Sequence, residues 1–239
     1  MKNQNKKVLV IGGTSGFGLG IVKTLNENGI NAIPFGTTSL PKVDVTDANS
    51  LKELFKLEGD VTDIHSVVYA AGIAIGKDYV SNKNILDMEK VIQVNTIGLL
   101  KALNYSYKHL VKSKGNFIYI GSIASELSYV GGADYCGSKA ASSTIMKTIR
   151  KEWLGTGIKT TTIESGLGNT NFLKRRYNGD IEKAEKHSRG IKAIEPEDMG
   201  QVVLTIMNLP KHINMDEIVL KPIDFASHGI SINTLKTQF

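Results

Sequence analysis

A strand, a glycine-rich loop and a helix follow one another near the amino terminus, and this order constrains the fold most. The apolar run Lys7–Ile11 predicts a buried parallel strand. The loop from Gly12 to Gly18 has the spacing Gly-x-x-x-Gly-x-Gly, and the helical pattern of residues 21–28 ends before Gly29. Glycines let the backbone turn tightly and approach a pyrophosphate, while the helix N-terminus faces its negative charge. The unit predicts an α/β fold with a dinucleotide-binding loop.

Composition narrows the class of protein. The chain has 239 residues, 41% hydrophobic and 22% charged, with no repeat or linker, which predicts a single domain over residues 1–239. No apolar run approaches about 18 residues, so no membrane span is expected, and Val8–Ile11 is too short for a signal-peptide core. The single cysteine, Cys136, excludes an internal disulfide and fits a cytoplasmic setting. The net charge of +6 is scattered and accompanies no nucleic-acid motif, so we expect no nucleic-acid partner.

The segment after the second predicted strand, residues 31–35, bears on the choice of cofactor. In NAD-dependent proteins of this architecture an acidic residue at this position binds the ribose hydroxyls. No Asp or Glu occurs from Ile30 to Val43, and the hydroxyls of Thr37, Thr38 and Ser39 stand there instead. These donors suit a 2′-phosphate, so the segment favours NADP over NAD. Asp44 further on either reaches an adenine edge or caps a turn.

A second candidate site begins at the apolar run Phe117–Ile120, which predicts another buried strand. Ser122 follows it, and Tyr135 and Lys139 stand four residues apart, on one face of a predicted helix. A nearby ammonium group favours phenolate and lowers the pKa of a tyrosine, which makes Tyr135 a candidate acid/base. Most Tyr-x-x-x-Lys pairs lie on helix surfaces, so the pair has weight only together with the other motifs.

Further candidates lie along the chain. Ala70-Ala71-Gly72 follows a predicted strand with small residues that let a cofactor lie against the backbone. Asn95 interrupts a helix predicted over 88–108, where it either meets a specific hydrogen-bond need or is a tolerated exposed amide. A glycine-rich exit from the strand at 158–163 leads into a polar, basic segment, residues 167–195, which we expect to cover the site and call the lid.

Taken together, these motifs resemble the short-chain dehydrogenase/reductase family in order and spacing over nearly the whole chain. The resemblance implies a doubly wound (Rossmann) parallel sheet of seven strands with helices on both faces. It also implies the interconversion of an alcohol and a ketone or aldehyde, with hydride transfer to or from a nicotinamide cofactor. Tyr135 would exchange the proton, Lys139 would hold the nicotinamide ribose, Ser122 would orient the carbonyl, and Asn95 would help hold a relay water.

The resemblance and the loop chemistry together assign two sets of residues, and no metal ligands are expected. The catalytic set is Asn95, Ser122, Tyr135 and Lys139. The cofactor set is Gly12, Thr14, Ser15, Gly16, Phe17, Gly18, Gly36, Thr37, Thr38, Asp44, Val45, Ala70, Ala71, Gly72, Asn95, Tyr135, Lys139, Gly166 and Thr170.

The carboxyl-terminal third is similar to one subgroup, the NADP-dependent 3-hydroxy acid (serine/allo-threonine) dehydrogenases. The similarity rests on residues 176–180, 183–186, 196–198 and 209–214. It implies a small alcohol or carbonyl substrate that carries a carboxylate, and a homo-oligomer, either dimer or tetramer. The basic residues 174–176 are compatible with such a carboxylate.

Several residues depart from the family pattern and leave other functions open. Ile11 replaces a threonine, Tyr69 and Ala70 replace two asparagines, and Ser165 replaces a proline; the connection from Gly36 to Asp44 is also short. The substrate is therefore open between a 3-hydroxy acid and a specialised biosynthetic ketone. The alternative of another class is a non-catalytic NAD(P)-sensing protein on the same scaffold.

Overall fold

A parallel sheet of six strands forms the central layer, in the order β2-β1-β3-β4-β5-β6. The computed structural model describes residues 7–57, 64–227 and 230–231. The strands are β1 (Lys7–Ile11), β2 (Ala32–Phe35), β3 (Ile64–Tyr69), β4 (Asn116–Ile120), β5 (Lys159–Ser165) and β6 (Glu217–Leu220). The order reverses direction between β1 and β3, so the predicted doubly wound parallel sheet is confirmed.

Helices cover both faces of this sheet because alternate strand residues point to opposite sides. Leu9 packs in a core with the helices α2, α4 and α5, whereas Val8 packs in a second core with α1 and α8. The helices are α1 (Gly16–Glu27), α2 (Ala48–Leu57), α3 (Ile85–Ile92), α4 (Gly98–Ser113), α5 (Ala133–Glu152), α6 (Phe172–Arg176), α7 (Ile181–Ser188) and α8 (Pro196–Asn208). None of these helices is both long and apolar enough to cross a membrane.

The sheet has six strands where the resemblance implied seven, counted over the described residues. The chain from Lys42 to Asp44 passes near the edge strand β2 but does not pair with it. The Val43 N–H donates to the carbonyl of Gly36, which follows β2, over 2.9 Å. The connection is short and Pro41 has no N–H to give, so no ladder forms there. After β6, β7 (Phe225–Ser227) pairs antiparallel with β8 (Ile230–Ser231) in a separate ladder.

The long helix predicted over 88–108 is divided by a wider turn. Residues Gln93–Ile97 form a π-helical turn between α3 and α4. The carbonyl of Val94 accepts a hydrogen bond of 2.7 Å from the Tyr69 hydroxyl. A Cβ at Gly98 would lie 2.4 Å from that hydroxyl, so the glycine leaves room for the Tyr69 ring. Such turns often mark functional sites, and this one contains Asn95.

Candidate active site

A cavity of about 510 Å³ lies at the carboxyl ends of the central strands, under the lid. Most of the sequence-predicted residues line it. They are Gly12, Thr14, Ser15, Gly16, Phe17, Gly36, Thr37, Asp44, Val45, Ala70, Ala71, Gly72, Ser122, Tyr135, Lys139, Gly166 and Thr170. Gly18, Thr38 and Asn95 are the three predicted residues that do not line it. The fold thus brings residues from distant parts of the sequence to one cavity.

The loop after β1 has the shape that a pyrophosphate group requires. Gly12 has φ of +86°, and a Cβ there would lie 2.4 Å from the Ala71 nitrogen, so only glycine fits. Gly18 lies behind the loop, where a Cβ would meet the Gly12 carbonyl oxygen at 2.2 Å. The Ser15 side chain makes no capping bond to α1, and the first turn has no acidic residue. The N–H groups at the start of α1 therefore have no capping side chain, and Ser15, Gly16 and Phe17 line the cavity, which fits an anionic group.

The turn after β2 offers fewer free hydroxyls than the sequence suggested. Ser39 accepts a hydrogen bond from the Gly36 N–H (2.9 Å), and its own hydroxyl lies within bonding distance of the Gly36 and Pro41 carbonyls. Thr37 and Thr38 are exposed, and Thr37 lines the cavity. Thr37 is thus the hydroxyl of this turn that is best placed to meet a ligand.

Asp44 caps a turn and also lines the cavity. Its Oδ1 accepts hydrogen bonds from the N–H (2.9 Å) and the hydroxyl (2.7 Å) of Thr46. Partial burial raises the pKa of Asp44, but these bonds and the charges of Lys42 and Lys101 outweigh it, so the pKa lies below its ordinary value. Of the two roles predicted for Asp44, the turn cap is present, and the adenine contact stays a prediction.

Tyr135 and Lys139 are buried on one face of α5, with relative exposures of 8% and 5%. The Lys139 Nζ lies 6.0 Å from the centroid of the Tyr135 ring. It donates hydrogen bonds of 3.1 Å to the Tyr119 hydroxyl and to the Ile120 carbonyl at the end of β4. The pair therefore lies inside the cavity wall, and the alternative of a surface helix pair does not apply.

Ser122 lies where β4 ends, and a buried carboxylate that sequence reasoning missed holds its backbone. Oε2 of Glu164 accepts the Ser122 N–H and Oε1 accepts the Ser143 hydroxyl, each over 2.6 Å. Burial raises the pKa of Glu164, although the Ser143 bond, the Lys139 charge and the Ser122 bond act in the opposite direction. The signal in the sequence was an acidic residue at the end of a buried strand, next to Ile163 and Ser165.

Asn95 is fully buried and meets a specific hydrogen-bond need, which decides between the two interpretations of its position. Its side-chain oxygen accepts a hydrogen bond of 2.8 Å from the Ile73 N–H, and its side-chain nitrogen donates one of 2.9 Å to the Ile73 carbonyl. It also donates to the Ser138 hydroxyl (2.9 Å), while the Ser142 hydroxyl donates to the Asn95 carbonyl (3.0 Å). Asn95 thus fixes the loop after β3 against α5, and its predicted part in holding a relay water stays a prediction.

The segment predicted to be a lid contributes residues of α6 to the cavity wall, and its role as a lid stays a prediction. The Phe172 ring lies 5.6 Å from the Tyr135 ring, and Gly168 packs so closely on Phe17 that a Cβ there would lie 2.2 Å from the ring. The Arg176 guanidinium lies 5.7 Å from the Tyr135 ring centroid. The candidate acid/base therefore sits between the body of the molecule and the lid.

Comparisons with known proteins agree with this geometry. A family model described as short chain dehydrogenase matches residues 36–181. An NADP-dependent 3-hydroxy acid dehydrogenase of Salmonella typhi is 30% identical, over 95% of this chain and 98% of that protein. Serine 3-dehydrogenase of Agrobacterium fabrum is 27% identical, over 94% of this chain and 97% of that protein. The solved closed form of a serine dehydrogenase complexed with NADP+ superposes with a TM-score of 0.88. The two chains are 28% identical, and the match covers 94% of this chain and 98% of that one. The chain therefore belongs to the short-chain dehydrogenase family of NAD(P)-dependent oxidoreductases.

Proposed function

We propose that the protein interconverts an alcohol and a ketone or aldehyde with NADP, and that Tyr135 is the acid/base. The observation that carries the proposal is the shared cavity. The buried Tyr135 and Lys139 face the same space as Ser122 and the glycine loop. A carbonyl group placed there meets proton-donating side chains beside a place for a nucleotide cofactor.

The residues present fit a dinucleotide. The loop from Gly12 to Phe17 and the start of α1 would hold the pyrophosphate, and Thr37 would donate to a 2′-phosphate. The absence of an acidic residue at the end of β2 and the NADP named for two of the relatives support NADP over NAD. When bound, the cofactor supplies or accepts the hydride, and the protein provides position and electrostatics.

The protein's own groups handle the proton and the oxygen atom. In the reducing direction the Tyr135 hydroxyl donates its proton to the carbonyl oxygen, and in the oxidising direction the phenolate takes it back. The Lys139 Nζ lies 6.0 Å from the centroid of the Tyr135 ring, so its positive charge acts on the oxygen atoms where negative charge develops during the reaction. The Ser122 hydroxyl donates to the substrate oxygen, while Glu164 and Asn95 hold the segments that carry Ser122 and Ile73. Proton transfer thus occurs in a fixed arrangement.

For the substrate we propose a small 3-hydroxy acid or the corresponding 3-keto acid. Two full-length relatives bear the names of 3-hydroxy acid and serine dehydrogenases. Arg175 and Arg176, in the last turn of α6, line the cavity, which favours a substrate with a carboxylate.

We also propose that the protein is a cytoplasmic homo-oligomer. Leu100 and Tyr107 on α4 and Leu154 after α5 expose 42%, 39% and 73% of their surface. Apolar residues gathered on neighbouring helices suit burial against a second copy. Light scattering of the purified protein should give a dimer or tetramer, whereas a monomer at micromolar concentration would contradict this assembly.

Fluorescence titration with NADPH and NADH, followed by a screen of 3-hydroxy and 3-keto acids, tests the proposal. We expect NADPH to bind more tightly than NADH, and Tyr135→Phe to lose turnover while NADPH binding is retained. Equal or tighter binding of NADH would refute the cofactor assignment. Undiminished turnover in Tyr135→Phe would refute the role of Tyr135. Cofactor binding without turnover of any carbonyl would instead support the nucleotide-sensing alternative.

A further inference from the structure

Arg176 is a buried cation at the substrate end of the cavity. The residue is 3% exposed although it belongs to the lid. Its Nη1 donates to the Tyr129 hydroxyl over 2.6 Å, and its guanidinium lies over the rings of Tyr129 (5.0 Å) and Tyr135 (5.7 Å). A charged group that lies against the candidate acid/base is in reach of whatever binds beside Tyr135.

The guanidinium is not fully paired. Nη2 of Arg176 is buried and has no hydrogen-bond partner among the described residues. A buried donor on a charged group without an acceptor is costly, and arginine presents its donors as a rigid fork that matches two carboxylate oxygens. The missing acceptor is therefore best supplied by a ligand over which the lid closes.

The charges around the cavity favour an anion at this end. Lys90, Lys139 and Arg175 line the cavity together with Arg176. Asp44 is the acidic residue among the described lining residues; it follows β2 in the chain, and its carboxylate is bonded to Thr46. No lining carboxylate of the described chain therefore neutralises the guanidinium.

Arg176 also joins the lid to the body of the molecule. Its Nε donates to the Gly76 carbonyl over 3.0 Å, and its own carbonyl accepts the Gly76 N–H over 2.8 Å. These two hydrogen bonds fix α6 against the loop that follows β3. Whatever orders the guanidinium therefore also orders the contact between lid and loop.

From these contacts we infer that Arg176 is the anion-binding residue of the site and the latch of the lid. In this role the carboxylate of the substrate accepts from Nη2, which selects acids over neutral alcohols and holds α6 closed on Gly76. The inference rests on the proposed function, since it names how that site recognises its substrate class.

The first test compares an acid with its neutral ester: 3-hydroxybutyrate and methyl 3-hydroxybutyrate, oxidised with NADP+. The readout is the ratio of kcat/KM for the acid to kcat/KM for the ester. We expect Arg176→Met to lower the ratio roughly 10- to 100-fold, as for the loss of a hydrogen bond between charged groups. Arg176→Lys keeps the charge but loses the fork, so its ratio should be intermediate. The exposed neighbour Lys174 does not line the cavity, and Lys174→Met should leave the ratio unchanged.

The second test does not depend on turnover. In the complex with NADPH, which cannot oxidise it, 3-hydroxybutyrate at ten times its Kd should slow hydrogen exchange of the Gly76 amide roughly tenfold. The methyl ester should have no such effect, and Arg176→Met should abolish it. Circular dichroism of the variant establishes that its fold is retained.

The outcomes separate this inference from the proposed function. If neither probe is oxidised but 3-hydroxybutyrate slows Gly76 exchange only when Arg176 is present, the anion site stands and the proposed alcohol oxidation of this class falls. If both probes are oxidised and Arg176→Met lowers both rates by the same factor, with no anion effect on Gly76, the anion site is overturned and the dehydrogenase activity stands.

Discussion

Helix α5, which carries Tyr135 and Lys139, begins at a buried ion pair between Lys83 and Asp134. The Nζ and Oδ2 atoms are 2.6 Å apart, and the two side chains are 5% and 3% exposed. The other carboxylate oxygen of Asp134 has no hydrogen-bond partner within the described residues. Replacing Lys83 with methionine therefore leaves the buried carboxyl group of Asp134 without its partner, in the first turn of α5.

The expected loss follows from two opposing effects. Removal of one partner from a buried ion pair costs about 3–5 kcal/mol. The N-terminus of α5 stabilises the abandoned anion by about 1 kcal/mol. Lys83→Met should therefore lower the free energy of unfolding by about 2–4 kcal/mol, out of a total of about 5–15 kcal/mol for a domain. For a protein of this length that lowers Tm by about 4–16 °C.

Chemical denaturation of three variants tests this reasoning. The double variant Lys83→Met/Asp134→Ala removes both charges and should recover at least half of the loss. The exposed pair Lys56 and Glu53, whose charged atoms are 2.8 Å apart, provides the matched control, and Lys56→Met should cost less than about 0.5 kcal/mol. A loss below about 1 kcal/mol in Lys83→Met, or an equal loss in Lys56→Met, would show that water reaches the buried pair and would refute the argument.

Two further predictions concern the cofactor loop and the buried carboxyl group of Glu164. A Cβ in Gly18→Ala would meet the Gly12 carbonyl oxygen at 2.2 Å, so we expect the Kd for NADPH to rise at least about tenfold, measured by fluorescence titration. Gly137→Ala, where a Cβ meets nothing within 4 Å, is its control and should stabilise α5 by up to about 1 kcal/mol; equal Kd values for the two variants would contradict this prediction. Burial raises the pKa of Glu164 above its ordinary 4.5, so the folded state holds the carboxyl proton more tightly than the unfolded chain does. The stability that this bound proton contributes is present below about pH 4.5 and is lost as the pH rises through the raised pKa. Glu164→Gln should lack that slope in denaturation curves measured from pH 4.5 to 7, and identical slopes would disprove the burial argument.

Backbone requirements were the part of the site that could be predicted from the sequence. A loop that turns at Gly12 and a helix that carries Tyr135 four residues before Lys139 leave direct signatures in residue type and spacing. The positions of Gly18 and Thr38 outside the cavity wall could not be predicted, because both follow from how the loops pack. Pro34 has no N–H to donate to a ladder, and the strand predicted at 31–35 forms at the edge of the sheet, where a missing N–H is tolerated.

Contacts between distant residues account for what the sequence did not show. Glu164 meets Ser122 only because β4 and β5 are neighbours in the sheet, with Ile120 opposite Ile163. The sequence likewise did not predict that residues 42–44 of the described chain form no strand of the sheet, since the short connection after Gly36 still contains the buried Val43 and Val45. Apolar residues there indicated burial, but burial does not require a ladder of hydrogen bonds.

Buried polar groups behind the cavity hold the proposed catalytic residues in place although the chain departs from the family pattern there. Tyr69, at a position where the family often has asparagine, donates to Val94 inside the π-helical turn, and burial raises its pKa, so it remains a neutral donor. The same turn presents Asn95 to Ile73. Tyr119 accepts from Lys139, and burial raises its pKa also, so it remains a neutral acceptor beside the ammonium. Satisfied polar networks of this kind cost desolvation but fix geometry. Changes at Tyr69 or Tyr119 should therefore act on turnover through the positions of Ile73 and Lys139, although neither tyrosine lines the cavity.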